Sequence, residues 1–120
     1  ARSGLFDFLG HPDLIKKFGY RPKGDLKRYY IPVIEAIADA NCGIELNMAG
    51  LHKACAEAYP SVEFLELAAQ AKIPVTLSSD AHAPSEVAQD FEQGILLLKE
   101  AGYHSTSLFD KRRRTEQRLT

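Results

Sequence analysis

Short apolar runs alternate with helix-type patterns along the whole chain. The strand-like runs lie at 5–9, 44–47, 74–77 and 105–109. The segments between them place apolar residues three or four positions apart, which is the spacing of an amphipathic helix. This alternation predicts an α/β fold with three or four largely parallel strands.

The first long helix has a clear apolar stripe but two possible starts. The stripe consists of Ile31, Ile34, Ile37 and Ala38. Pro32 fits best in the first turn, where its missing N–H costs nothing. If Asp25 instead caps an earlier start, Pro32 lies inside the helix and kinks it. In either case Gly43 is expected to end the helical segment.

Further helices are predicted on both sides of the second strand. One covers 13–18, another covers 53–58, and Ser61 caps a third that runs to residue 72. Ser85 is expected to cap a short helix before a stronger one that stops at Gly102. The apolar face of this stronger helix consists of Phe91, Ile95 and Leu98.

Length and composition are those of one ordinary globular domain. The chain has 120 residues, 45% of them apolar and 26% charged. We assign 1–109 to this domain and 110–120 to a charged, mobile C-terminal tail. The net charge of −1 suggests no general affinity for nucleic acid or for an anionic membrane.

The sequence indicates a cytoplasmic protein. It has no signal peptide pattern and no apolar stretch near the roughly 20 residues that span a bilayer. Cys42 and Cys55 are the only cysteines, which is too few for a disulfide framework, and we expect both to be reduced.

Two polar strings at the ends of predicted strands are the best candidates for chemistry. His11 lies in the string GHPD at 10–13, and Asp80 and His82 lie in SSDAH at 78–82. In an extended segment, side chains two positions apart fall on the same face, so Asp80 and His82 can converge. A carboxylate and an imidazole suit a divalent metal ion, and His11 is a natural third ligand.

These strings carry a family resemblance that extends over 5–109. FDFLGHPDLIKKF, at 6–18, resembles the later His-containing motif of the PHP (polymerase and histidinol phosphatase) family. IELNMAGL at 44–51 and YPS at 59–61 are similar to the histidinol-phosphatase branch. SSDAH at 78–82 resembles the last metal motif of the family, and the order and spacing also match.

The resemblance implies a distorted, TIM-like β/α barrel, usually of seven strands, that hydrolyses phosphoesters with two or three divalent ions. It implies that His11, Asp80 and His82 are metal ligands. The family's other ligands come mainly from an N-terminal His-x-His motif, and this sequence contains none. The chain is therefore expected to be the C-terminal half of such a barrel, a partial PHP metallohydrolase domain. Its expected partner is the missing N-terminal half or a second copy of the chain.

The resemblance also suggests the cofactor and the substrate. Mixed His and carboxylate ligands suit Zn, Fe or Mn better than Ca or Mg. The expected substrate is a small phosphomonoester such as histidinol phosphate, an intermediate of histidine biosynthesis. The alternatives are a PHP-type nuclease or polymerase-associated module acting on nucleic acid, and a non-catalytic remnant that lacks part of the ligand set.

Four further residues are candidates for binding substrate. Glu45 and Asn47 share one face of the second strand and either line the pocket or hydrogen-bond at the strand end. Lys53 can meet a phosphate as a point charge. Asp13 either orients His11 or caps the helix that follows it, with the cap slightly favoured.

The remaining polar candidates have simpler interpretations. His52 stands where the family branch often has arginine, which weakens the case for two-pronged phosphate recognition there. Ser78 and Ser79 are expected to shape the loop rather than act as nucleophiles. His104 is expected to be a surface residue, and the basic run KRRR at 111–114 a solvated part of the tail.

Overall fold

Two consecutive strand–helix–strand units form the centre of the fold in the computed structural model, which describes all 120 residues. The strands are β1 (Phe8–Leu9), β2 (Gly43–Asn47), β3 (Val75–Ser78), β4 (Ser105–Asp110) and β5 (Arg113–Arg118). The α-helices are α1 (Lys27–Asp39), α2 (Val62–Gln70) and α3 (Phe91–Glu100). Three short 3-10 helices cover Leu14–Phe18, Met48–His52 and Pro84–Glu86.

The central sheet is parallel and has the strand order β1-β2-β3. Helix α1 connects β1 to β2, and α2 connects β2 to β3, as parallel strands require. The fold is therefore mixed α/β, as predicted, but the three strands do not close into a barrel. Strand β4 was expected to continue this sheet; it instead pairs antiparallel with β5 in a separate two-stranded sheet.

The hydrophobic core lies between the sheet and the helices. Strand β2 is buried along its whole length. A strand covered on both faces does not need the alternation of apolar and polar residues that a half-exposed strand shows. The most completely buried apolar core side chains are Ile37, Ile44, Leu46, Met48, Leu65, Ala68, Val75 and Leu98. Because β2 is flanked by strands on both sides, its end has a fixed position in the fold.

Helix α1 begins earlier than the favoured interpretation places it. It starts at Lys27, whose N–H donates to Asp25 Oδ1 at 3.0 Å, and Pro32 lies inside the helix. The first-turn position for Pro32 was wrong. The helix starts earlier, as in the alternative, but the N-cap residue is Leu26 rather than Asp25. The buried face consists of Tyr30, Ile34 and Ile37, while Ile31 and Ala38 are exposed.

Several boundaries also differ from the sequence prediction. Gly43 begins β2 rather than ending a helix, and only Phe8–Leu9 of the predicted first strand pairs with a neighbour. The segment 53–58 is not helical; the helical turn lies at Met48–His52, where Asn47 Oδ1 accepts from the N–H of Ala49. This side-chain cap moves the turn upstream.

Two predicted N-caps have different outcomes. Ser61 caps α2 as predicted, because its Oγ accepts from Phe64 N. The predicted cap at Ser85 is wrong. Ala83 precedes that 3-10 helix, and Pro84 occupies its first turn.

The segment 110–120 is not an unstructured tail. Strand β5 forms a hairpin with β4, and Arg112 binds Asp7 Oδ1 and the carbonyl oxygen of Gly4, both at 3.2 Å. The Phe8 and Phe109 rings stack with centroids 5.3 Å apart, which holds the hairpin against β1. The prediction failed because the strand residues RRTEQR are all exposed and carry no apolar alternation.

Other sequence expectations agree with the structure. Cys42 and Cys55 are both free, and His104 is exposed. None of the helices has the length and apolar character needed to cross a membrane.

Candidate functional site

A cavity of about 600 Å³ lies beyond the carboxyl ends of the parallel strands. His11 follows β1, Ala49 follows β2, and Asp80 and His82 follow β3. All four residues line the cavity. The carboxyl ends of parallel strands lie at one edge of a sheet, so the βαβ topology brings these distant parts of the sequence together.

His11 is held between two carboxylates. Its Nε2 lies 2.9 Å from Asp80 Oδ2, and its Nδ1 lies 3.4 Å from Glu45 Oε2. The same Glu45 oxygen accepts the His11 backbone N–H at 2.8 Å and the Asn47 amide at 3.3 Å. Glu45 therefore fixes both the backbone and the ring of His11, and Asn47 fixes Glu45. Neither Glu45 nor Asn47 lines the cavity, so the contacts support the strand-end interpretation of these two residues.

Asp80 is fixed by its own loop. Its φ of 53° is left-handed, and its N–H donates to Ser78 Oγ at 3.1 Å, which confirms Ser78 as a loop-shaping residue. The hydrogen bond with His11 lowers the pKa of Asp80. The carboxylate is therefore ionised at neutral pH, as a metal ligand must be.

His82 has one ring nitrogen committed to the backbone. Its Nδ1 lies 2.7 Å from the carbonyl oxygen of Asp80, and its own N–H donates to Glu86 Oε2 at 2.7 Å. A carbonyl oxygen only accepts, so Nδ1 carries the proton in this contact and the Nε2 lone pair is available. This is the tautomer in which a histidine can bind a metal through Nε2.

The donor chemistry fits a divalent transition metal, but the set within this chain is incomplete. His11 and Asp80 converge on one point, and His82 lies on the wall of the same cavity. No group of three or more His, Cys, Asp or Glu side chains is arranged as a metal site anywhere in the 120 residues. The chain therefore contributes a pair of converging donors and a nearby imidazole.

Basic, acidic and amide side chains also line the cavity. Lys53 and Lys17 are the two lysines among them. His52 Nε2 lies 2.7 Å from Asp90 Oδ2 and 3.1 Å from Gln89 Nε2. Sequence reasoning missed Lys17, Gln89 and Asp90. Lys17 lies in the 3-10 helix Leu14–Phe18 and the other two in the loop before α3, and nothing local in either segment indicates that it reaches the cavity.

Asp13 occupies the N-cap position of the 3-10 helix Leu14–Phe18, as predicted, but its side chain neither caps the helix nor contacts His11 directly. Its Oδ2 contacts Lys16 Nζ at 3.0 Å, Tyr30 Oη at 3.2 Å and Ser61 N at 3.3 Å. These partners lie behind the cavity rather than at His11. Asp13 is therefore part of the support beneath the site.

Glu57 completes this buried group of charges. Its Oε2 lies 3.0 Å from Lys16 Nζ and 2.7 Å from Arg21 Nη2. Burial favours the neutral acid, but the hydrogen bonds from Arg21 and Lys16 outweigh it and lower the pKa of Glu57. Burial also raises the pKa of the adjacent Tyr59 to about 12, so that phenol is neutral at physiological pH.

The lowered pKa of Glu57 predicts a pH-dependent contribution to stability. The contribution is complete above the ordinary value of 4.5 and is lost as pH falls through the lower pKa of the folded state. Glu57→Gln should therefore destabilise the protein at pH 6 and have a smaller effect at pH 3, as measured by urea unfolding. The exposed Glu92→Gln is the control. Equal effects of Glu57→Gln at both pH values would contradict the prediction.

Comparison with known proteins supports a specific relationship. No protein-family model matches the chain. A Deinococcus radiodurans protein named "Probable histidinol-phosphatase" is 39% identical over 102 residues, which cover 85% of this chain. The chain is histidinol-phosphatase-like in sequence. The match covers 38% of the Deinococcus protein, so the chain spans little more than a third of its relative.

A solved structure shows the same fold. It is the crystal structure of the Listeria monocytogenes protein described as "putative histidinol phosphatase hisK". The TM-score is 0.63 over 72% of this chain and 35% of the Listeria chain, at 23% sequence identity. At this identity the likeness supports the arrangement of strands and helices.

Proposed function

We propose that this chain forms part of a metal-dependent phosphoester hydrolase of the histidinol-phosphatase type. The reaction would convert histidinol phosphate and water to histidinol and phosphate. The observation that carries the proposal is the convergence of His11 and Asp80 on one cavity, within a chain 39% identical to a protein of that name.

His11, Asp80 and His82 are the residues proposed to hold a divalent ion, with Zn, Fe or Mn preferred for this donor set. Such an ion would supply a Lewis acid that activates water and neutralises phosphoryl charge. Glu45 orients the His11 ring, and the backbone carbonyl of Asp80 orients the His82 ring.

The two lysines that line the cavity are suited to the anionic end of a phosphomonoester. Lys53 and Lys17 are proposed to attract phosphate as point charges. His52 lines the same cavity, and its Nε2 lies 2.7 Å from Asp90 Oδ2. Glu45 and Asn47 bind each other and His11, so we propose that they position the site rather than contact substrate.

The incomplete donor set supports a site shared with residues from outside these 120. The proposed source is the remainder of a barrel, in which this chain would be the C-terminal half, or a second copy of the chain. The outer edge of β1 has no partner strand, and large apolar side chains near the β1 end are exposed. The exposed fractions are 71% for Leu5, 59% for Phe6, 76% for Ile15 and 73% for Phe18.

The isolated chain is therefore expected to associate in solution. Association is favourable because a partner can pair with the open sheet edge and remove the exposed apolar side chains from water. Sedimentation velocity at micromolar concentration should show dimers or larger species. Replacing Phe6 and Ile15 with serine should shift the distribution towards monomer. A wild-type chain that sediments as a monomer at all concentrations would contradict this expectation.

The proposed function is tested by complementation. The chain alone should release little or no phosphate from histidinol phosphate, with Zn²⁺, Mn²⁺ or Fe²⁺ present. Adding the part of the Deinococcus radiodurans relative that the chain does not cover should raise metal content and phosphate release. His11→Ala should abolish the gain, and the exposed His104→Ala should leave it unchanged. Stable association without metal uptake or turnover would favour a non-catalytic remnant instead.

A further inference from the structure

Lys16 is an unusual residue to find in the interior. Only 2% of its surface is exposed, although lysine is almost never fully buried without partners. Its Nζ lies 3.0 Å from both Asp13 Oδ2 and Glu57 Oε2, and 5.8 Å from the centre of the Tyr59 ring. The contacts have the character of ion pairs rather than of well-aligned hydrogen bonds. A charge buried in this way is retained only if its partners hold it in one place.

Lys16, Asp13, Glu57 and Tyr30 form a connected group, here called the Lys16 cluster, that joins three separate segments of the chain. Lys16 lies in the 3-10 helix Leu14–Phe18, Glu57 lies in the loop before α2, and Tyr30 lies in α1. Asp13 connects them, since its Oδ2 also accepts hydrogen bonds from Tyr30 Oη and from the backbone N–H of Ser61. The position of Asp13 is therefore set by contacts with all three segments.

The turn that carries His11 needs such support. His11 and Asp13, on either side of Pro12, have φ values of 51° and 67°, in the left-handed region that disfavours residues other than glycine. Conformations of this kind persist where the surroundings over-determine them. Glu45 holds the His11 side of the turn, and the Lys16 cluster holds the Asp13 side.

We propose that Lys16, acting through Asp13 and Glu57, is a positioning residue for His11. Lys16 does not line the cavity that contains His11, so it acts through the turn rather than on a ligand. This inference rests on the proposed function in one respect, namely that His11 is a functional residue of the site. The geometry of the turn itself can be measured without metal or substrate.

The test is amide hydrogen exchange of the metal-free chain, read by NMR. The His11 N–H donates to Glu45 and reports on the turn, whereas the amides of Ile44 and Leu46 in β2 report on global unfolding. In Lys16→Met, protection of the His11 amide should fall at least about tenfold more than protection of the β2 amides. The exposed Lys23→Met is the matched control and should change neither.

A second variant covers the case in which Lys16→Met does not fold. Glu57→Gln removes one of the two carboxylates and should lower His11 protection selectively, by about threefold. Equal loss of protection at His11 and in β2, in every folded variant, would show that Lys16 only stabilises the fold and would overturn the proposal.

Metal titration separates this inference from the proposed function. If wild type binds Zn²⁺, the folded Lys16 and Glu57 variants should bind it more weakly, and Lys23→Met should bind it as wild type does. Selective loss of His11 protection in a chain that binds no metal would support the positioning role and contradict the metal site. Unchanged Zn²⁺ affinity in variants whose turn has loosened would overturn the proposed link to function.

Discussion

Replacing Asp80 with alanine is expected to weaken Zn²⁺ or Mn²⁺ binding about 100-fold or more. Residues that merely orient a metal ligand contribute about 10- to 100-fold to affinity, and a direct ligand should contribute at least as much. The substitution also removes the 2.9 Å contact that holds the His11 ring from the side opposite Glu45. A competition titration against a chromophoric chelator, at fixed pH, measures the effect.

Two controls sharpen this prediction. Asp39→Asn alters a carboxylate that is exposed on α1 and should leave the affinity unchanged. Asp80→Asn keeps the shape of the side chain but removes its charge, and it should lose nearly as much affinity as alanine. Wild-type affinity in both Asp80 variants would remove this residue from the proposed ligand set.

A methyl group added at Gly50 is expected to lower the free energy of unfolding by about 3 kcal/mol or more, at the upper end of overpacking effects. The Cβ of an alanine at this position would overlap the carbonyl oxygen of Glu57 and lie 3.0 Å from the Tyr59 ring. Because one obstacle is backbone and the other a buried aromatic ring, neither moves cheaply. Urea unfolding monitored by circular dichroism gives the midpoint and the free energy.

Gly10→Ala is the matched control for Gly50→Ala. Its Cβ would lie 3.5 Å from Glu45 Oε2, which is an ordinary contact, and it should cost about 1 kcal/mol or less. If Gly50→Ala and Gly10→Ala unfold at the same urea concentration, the segment 50–59 rearranges more easily than its packing implies.

The pairing of His11 with Asp80 could be anticipated from the sequence because it follows from topology. Two strand–helix–strand units place the ends of their strands at one edge, whatever the details of packing. Glu45 and Asn47 were predicted to share one face of β2 because they lie two positions apart on a strand. These inferences needed only the periods of strand and helix.

The buried charges could not be predicted in the same way. Lys16 and Lys17 are adjacent and flanked by Ile15 and Phe18, and nothing local distinguishes the one that is buried from the one that lines a cavity. Its partner Glu57 lies 41 positions away, in a loop whose path depends on the whole fold. Strand β5 was missed for a related reason, since its pairing with β4 is the only feature that makes it a strand.

The width of the sheet sets the distance between the two segments that carry His11 and Asp80. His11 and Asp80 extend from the two outer strands, β1 and β3, with β2 between them. Neighbouring strands are about 4.8 Å apart, so the two backbones are separated by about 9.6 Å at the sheet. A histidine and an aspartate together span that gap with their tips 2.9 Å apart. The distance between the two outer strands is therefore matched to the combined reach of a histidine on one side and a short acidic side chain on the other.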